Sequence, residues 1–452
     1  MRIAELAGKR VAIWGFGREG RAAIRALRHH LPDLQLALYC SEAEATDAQQ
    51  FDAALTVYPT EPNAVALSAY DIVVKSPGIS AYKPAIVTAQ AQGTRFTSGT
   101  ALWFAENPQA RVIAVTGTKG KSTTTALIAH LARALGVRTA LAGNIGLPLL
   151  ELLDQQADVW AIELSSFQTG EAGALELGVI TSLYEEHLDW HGSRERYVAD
   201  KLKLVDAARQ LLVNAEQASL LEQTAAHPNR RLFGNVDGWH VAEGFIRRGD
   251  TSVIALKELS VPGLHNALNA CAALTALELV GLDAVAAAPA LSRFQALPHR
   301  LQPLGERDGL AWINDSISTT PLATIAALDS LRGREVTVIV GGHDRGLDWS
   351  PFVAAVATRS ALRIVTQGAN GPRIAAALRS AKSEIPLGDV DKLVDAVEMA
   401  HVITPKGGVV LLSPGAPSFD QFHDYADRGK HFAEFAGFDG HAMAGIGGLG
   451  IA

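Results

Sequence analysis

The sequence predicts an α/β fold in three domains, each built on a mostly parallel sheet. Three observations carry this: a length of 452 residues, short apolar runs alternating with helix-like stretches, and glycine-rich turns where two such runs end. At roughly 150 residues per domain the length allows three. Hydrophobic residues make up 48% and charged residues 19%, enough for a substantial core. The formal charge of −7 leaves no excess of Lys and Arg for a nucleic-acid surface, so no nucleic-acid partner is expected. Cys40 and Cys271 are the two cysteines, neither with a Cys or His at metal-ligand spacing, and a reducing cytoplasmic compartment fits. Met1–Gly20 carries Arg2, Glu5, Lys9 and Arg10 without a long apolar run, which argues against a secretory signal or membrane insertion.

In the first domain, expected over 1–97, Arg10–Trp14, Leu34–Cys40 and Asp71–Lys75 read as buried strands joined by crossover helices, a Rossmann-like pattern. The second, over 98–300, opens its sheet with Arg111–Val115, followed by a glycine turn and an apolar helix, Thr123–Leu135. Val159–Leu164, Val179–Leu183 and Leu211–Asn214 are further strand candidates there, and His265–Val280 reads as a helix. The third, over 301–452, is again Rossmann-like, with strands at Leu310–Asn314, Val336–Val340, Leu362–Thr366 and Val409–Leu412. Gly437–Ala452 is rich in Gly and Ala and reads as a frayed tail.

The most informative segment is Val115-Thr116-Gly117-Thr118-Lys119-Gly120-Lys121-Ser122. Between a strand and a helix, backbone N–H groups converge on an anion and the helix dipole assists them. Lys121 suits the β- and γ-phosphates of ATP, and the Ser122 hydroxyl suits a phosphate-bound Mg²⁺. The spacing departs from the ordinary P-loop, because Val115 stands where its first glycine is expected. The blander reading is a glycine turn with a surface lysine. Gly15-Phe16-Gly17-Arg18-Glu19-Gly20 also joins a strand to a helix, and Glu42 lies about where a ribose-binding acid would. That loop suits a dinucleotide, a nucleotide-linked diphosphate or a mere turn, and an NAD-dependent dehydrogenase is the rival it leaves open. Glu163, at the end of a buried strand, suits Mg²⁺. His187 and Lys201 would not persuade alone.

Read together, these and further segments resemble the Mur ligase family, in particular its glutamate-adding branch. The matching pieces are Thr116–Ser122, Gly143-Asn144-Ile145-Gly146, Glu163–Gln168, Glu186-His187-Leu188-Asp189, Lys201 and His265-Asn266-Ala267-Leu268-Asn269. Pro298-His299-Arg300, Trp312–Ser316, Gly341-Gly342, Ser413-Pro414 and Asp420-Gln421-Phe422 follow in family order, and Lys75–Ile79 fits as well. The resemblance implies a monomeric ATP-dependent, ADP-forming ligase of cell-wall precursor synthesis, joining glutamate to UDP-MurNAc-L-alanine. It implies ATP contacts at Gly117, Thr118, Lys119, Gly120, Lys121, Ser122, Thr123, Asn269, Arg300 and Asp315. It places one Mg²⁺ on Ser122 and Glu163 and a second on His187 and Lys201, the latter carbamylated by CO₂. Lys121, His187, Lys201 and Arg300 would be catalytic. Gly15, Phe16, Gly17, Arg18, Glu19, Ser76, Pro77, Gly78, Asn144, Ser165 and Gln168 would hold the UDP-linked substrate. Thr319, Arg345, Ser418 and Tyr425 would hold the incoming amino acid. A folylpolyglutamate-type ligase shares the chemistry, but Trp312–Ser316 and Asp420–Phe422 look more like the cell-wall branch.

Two departures from the D-glutamate-adding pattern cluster at the amino-acid pocket. Asp315-Ser316-Ile317-Ser318-Thr319-Thr320 stands where that pattern has a lysine at the third place, and Ser413-Pro414-Gly415-Ala416-Pro417-Ser418 where it has Ser-Pro-Ala-x-Ala-Ser. A pocket reads handedness through where its charged partners sit, so L-glutamate is the expected substrate and D-glutamate the alternative.

Overall fold

The structure, a computed structural model, describes residues 1–183, 193–357, 359–381 and 385–452. The chain forms two compact units, one of residues 1–259, 265–294 and 448–452, the other of 260–264 and 295–447.

The first unit holds two parallel sheets. Strands β1 (Val11–Trp14), β2 (Leu36–Tyr39), β3 (Thr56–Tyr58), β4 (Ile72–Lys75) and β5 (Arg95–Thr97) lie in the order β3-β2-β1-β4-β5. Every residue of β1, β2 and β4 is buried, as expected of apolar runs covered on both faces. The order reverses at β1 and β4, so a crevice opens beyond their carboxyl ends. The second sheet contains β6 (Val112–Thr116), β7 (Thr139–Gly143), β8 (Val159–Glu163), β9 (Leu175–Ile180), β10 (Ala208–Asn214) and β11 (Arg230–Phe233). Its order is β11-β10-β9-β6-β8-β7, with β6 between β8 and β9 at the corresponding reversal. A small antiparallel meander follows: β12 (Trp239–Ala242), β13 (Phe245–Arg248) and β14 (Thr251–Ala255).

The second unit has six strands: β15 (Gln302–Arg307), β16 (Leu310–Asn314), β17 (Val336–Val340), β18 (Leu362–Thr366), β19 (Leu387–Asp389) and β20 (Val409–Leu412). They lie in the order β15-β16-β20-β17-β18-β19, parallel except for the β15–β16 hairpin.

Two expectations need correction. The strand expected at Val179–Leu183 lies earlier: β9 spans Leu175–Ile180, and Thr181 donates its N–H to the Thr116 carbonyl while the chain turns behind the phosphate loop. Gly437–Ala452 is not a frayed tail. It forms a helix, Gly440–Ala444, and a strand, Gly450–Ile451, that pairs antiparallel with β7. Arg133 fixes that strand, donating to the Gly448 carbonyl at 2.6 Å and the Gly450 carbonyl at 2.8 Å. Among the described residues no helix is long and apolar enough to cross a membrane.

Candidate active site

The phosphate loop leaves β6 at Thr116 and enters the helix Lys121–Ala134 through Gly120, its left-handed N-cap. Gly117 has φ +147°, and a Cβ there would lie 2.1 Å from Thr181 Oγ1, so only glycine allows the close approach. Thr181 and Ser182 brace the loop from behind. Ser182 Oγ accepts from Lys119 N at 2.8 Å, and Thr181 Oγ1 donates to Lys119 O at 2.6 Å. Lys121 folds over the loop, its Nζ 3.0 Å from Thr118 O. Ser122 is buried in the first helical turn and Thr123 half-buried. Asn269, from helix Leu264–Leu279, brings Oδ1 against Gly120.

Lys201 reaches this loop from another element, and Glu163 ends the strand paired beside β6, opposite Val115. Lys201, on helix Arg194–Ala207, is 2% exposed, and its Nζ donates to the Gly117 carbonyl at 2.9 Å. One turn earlier, Tyr197 places its ring under that amine at 4.8 Å, and its hydroxyl lies 2.8 Å from Thr118 Oγ1. Composition did not single out Tyr197, though its spacing of four from Lys201 was the available signal. Glu163 ends β8 and is 1% exposed. Its Oε1 accepts from Asn144 Nδ2 at 2.8 Å, while Oε2 has no hydrogen-bond partner among the described residues. A buried, half-satisfied carboxylate is costly unless something cationic meets it. That orphaned oxygen fits a divalent cation at the loop. His187 lies outside the described residues.

At the first sheet's reversal, Gly15 has φ +101°, and a Cβ there would meet Ser76 Oγ at 2.6 Å. The glycine loop and the Ser76-Pro77-Gly78-Ile79 turn are therefore in contact, and Ser76 Oγ is buried without a partner. Gly17 caps helix Arg18–His30 with no side-chain cap hydrogen bond among the described residues, as suits a helix N-terminus that receives an anion. Phe16 is a core residue, stacked under the Arg21 guanidinium at 3.9 Å. Arg18 is exposed and donates to the Gly146 carbonyl at 3.0 Å. Glu19 turns toward Gly99, and burial, with the Glu171 charge adding to it, pushes its carboxyl up to about 7. Ser165 and Gln168 are buried and spent on each other, Ser165 Oγ donating to Gln168 Oε1 at 2.8 Å.

In the second unit Arg300 is half-buried and flanked by two left-handed residues, His299 (φ +61°) and Leu301 (φ +45°). Non-glycine residues hold that conformation only when their surroundings impose it. Here Gln302 Oε1 accepts from His299 N at 3.0 Å, and Asp315 Oδ1 accepts from Leu301 N at 3.1 Å. Burial holds His299 down to about 4, so it adds no charge beside Arg300. Asp315 also accepts from the Ser318 and Ser413 hydroxyls; burial outweighs them and raises its carboxyl to about 6. In this structure Asp315 fastens the Arg300 turn.

Arg345 is exposed and has no side-chain partner among the described residues, on a loop pinned by Arg373, which grips Asp344 at 2.6 and 3.0 Å. Thr319 is half-buried, Ser418 buried and Tyr425 exposed. Sequence reasoning missed Arg428, 1% exposed, which donates to Ser316 Oγ, Ser316 O and Pro417 O and so ties the two loops bearing Thr319 and Ser418.

Glycine loops stand at the reversals of both sheets in the first unit, one of them met by the buried Lys201, and the molecule is an ATP-dependent amide ligase. The chain belongs to the Mur ligase family. Residues 9–98 match the Mur ligase MurD-like N-terminal domain, 115–277 the Mur ligase middle domain and 299–415 the Mur ligase glutamate ligase domain. A UDP-N-acetylmuramoyl-L-alanine–L-glutamate ligase of Xanthomonas campestris pv. campestris is 51% identical over the whole of both chains. One from Micromonospora sp. is 40% identical, covering 96% of this chain and 98% of its own. Among solved structures, the UDP-N-acetylmuramate-alanine ligase MurC of Thermotoga maritima superposes with a TM-score of 0.62 at 21% identity, covering 94% of this chain and 98% of its own. The MurF ligase of the same organism, in complex with ADP, gives 0.56 at 14% identity, covering 94% and 93%.

Proposed function

We propose that the protein adds L-glutamate to UDP-N-acetylmuramoyl-L-alanine in peptidoglycan precursor synthesis, releasing ADP and phosphate. An amine does not displace hydroxide from a free carboxylate at neutral pH, so activation comes first. The acceptor carboxylate attacks the ATP γ-phosphorus, giving an acyl phosphate; the glutamate amine then attacks its carbonyl and phosphate leaves. Lys121 and the loop amides hold the phosphates, and Arg300 offsets charge that develops during transfer. The Gly15–Gly20 loop and the Ser76–Ile79 turn hold the UDP end.

The observation that carries this reading is the burial of Lys201 against the phosphate loop, with Glu163 buried at the end of the strand paired beside β6. Ser122 and Glu163 would hold one Mg²⁺, and His187 and Lys201 a second, with Lys201 capped by CO₂. Bound there, the two ions neutralise phosphate charge and the carbamate supplies an anionic oxygen where a free ammonium would repel them. Arg345, unpaired among the described residues, would pair with a glutamate carboxylate, with Thr319, Ser418 and Tyr425 around it. Ile317, apolar where a lysine reads D-glutamate, and the names of the full-length relatives favour the L enantiomer. Domains of 1–97, 98–300 and 301–452, a monomeric state, and a cytoplasmic site where ATP and nucleotide-linked sugars are made complete the reading.

The test is ADP release with UDP-MurNAc-L-alanine and each glutamate enantiomer in parallel. Turnover with L-glutamate and little with D-glutamate is expected. Preference for D would overturn the stereochemical part, and activity with neither would end the reading.

A further inference from the structure

The segment that follows β4 is bolted to the second sheet's domain at two points. At its start Lys75, almost fully buried, donates to the Ile79 carbonyl at 3.3 Å and lies 3.9 Å from Glu171 Oε1. At its end the Tyr82 hydroxyl reaches both carboxylate oxygens of Asp200, at 2.7 and 2.8 Å. Arg196, one turn before Asp200 on helix Arg194–Ala207, covers the Tyr82 ring at 5.1 Å. The two bolts are themselves joined. Glu171 ends the short helical turn Thr169–Glu171, and Thr169 Oγ1 donates to the Asp200 carbonyl at 2.6 Å. The next residue is Lys201, whose amine meets the phosphate loop at Gly117.

We infer that Tyr82 is a positioning residue, coupling the turn that holds the acceptor's UDP end to the helix that presents Lys201 to the phosphate loop. Tyr82 touches neither substrate in this scheme; it acts through Asp200. The inference rests on the proposed acceptor site, because the coupling matters only if the Ser76–Ile79 turn moves or stiffens when its ligand binds. A hydroxyl shared by two oxygens of one buried carboxylate is a strong, directional contact, and the 3.6-residue period sets Arg196 and Asp200 on one helical face to receive it. Lys201 projects from the adjacent position, so a tilt of this helix at Asp200 shifts the amine at Gly117.

Five proteins test it: wild type, Tyr82→Phe, Asp200→Ala, the double variant, and Asp200→Asn as the conservative control that keeps an acceptor oxygen. KM for UDP-MurNAc-L-alanine, the Mg²⁺ concentration at half-maximal rate, and Tm are measured for each. Tyr82→Phe is expected to raise KM and the Mg²⁺ requirement together, by about three- to tenfold, with Tm nearly unchanged. The double variant should be no worse than Asp200→Ala alone, and Asp200→Asn should fall between that variant and wild type. A change in Tm with both constants unmoved would reduce Tyr82 to a structural brace and overturn the inference. So would a rise in the acceptor KM alone, or effects of the two single variants that multiply. A wild type inactive with this acceptor would remove the acceptor reading itself, and the inference with it.

Discussion

At the scale of single residues, two buried carboxylates meet opposite fates. Glu19 is pushed up to about 7 by burial and by the neighbouring Glu171 charge, so it is largely neutral in the folded protein below that pH. A raised carboxyl pKa stabilises the fold below the unfolded value of 4.5 and ceases to as pH rises through about 7. Glu19→Gln should therefore leave Tm at pH 5 close to wild type and raise it at pH 8, in thermal scans across that window. An unchanged difference between the two pH values would contradict this. Glu163 has its second oxygen unsatisfied, and a Gln there keeps the acceptor for Asn144 while removing the charge. Glu163→Gln is expected to hold or raise Tm while lowering turnover by about 10²-fold or more, measured as ADP release at saturating Mg²⁺. A parallel loss of both would make Glu163 a folding residue. The glycines of the two loops were legible in the sequence because their signal is backbone geometry, which a strand and a helix on either side bracket. The bonds made by Asn144, Ser165 and Gln168 were not. Asn144 meets Glu163 only where two strands end side by side, whereas Ser165 and Gln168 bond across one local turn and Gln168 also reaches Thr100, contacts that carry no apolar or glycine pattern.

At the scale of elements, long apolar runs announced the central strands, and Val336–Val340 and Val409–Leu412 stand as expected. Short edge elements were missed. β3, β5 and β19 have three residues each, partly exposed, and carry no continuous apolar run. The β15–β16 hairpin did leave a sign, Asp308-Gly309, both with positive φ, a turn whose twist suits antiparallel strands. Val179–Leu183 misled because Val179 and Ile180 are the apolar end of β9, while Thr181 and Ser182 beyond them are spent behind the phosphate loop. Helix Tyr425–Phe435 carries near its start the buried Arg428, whose guanidinium burial lowers to about 9. Arg428→Met would strand the Ser316 carbonyl inside the unit and leave the Pro417 carbonyl to the His343 N–H alone. Raised KM for glutamate by about tenfold, with a fall in Tm, is the expected outcome; unaltered glutamate kinetics would separate this helix from the pocket.

At the scale of the whole molecule, the chain leaves the first unit at Gln295 and rejoins it at Gly448. Gly450 and Ile451 complete the edge of the sheet that carries the phosphate loop, pairing with Leu141 and Ala140. Composition hid this, because a two-residue strand of Gly and Ile is held by backbone bonds and by Arg133, 317 residues away from Gly450. Ending the chain after Gly447 should lower Tm and bare the β7 edge, producing larger species on size exclusion as concentration rises. A monomer of unaltered Tm would speak against this.

The same rejoining makes the glutamate-ligase unit an insertion anchored at both ends. A protease that nicks it once leaves two fragments, each still rooted in the first unit, and the cut molecule should travel as one particle until it is denatured. Freeing residues 295–447 takes two cuts, one on either side.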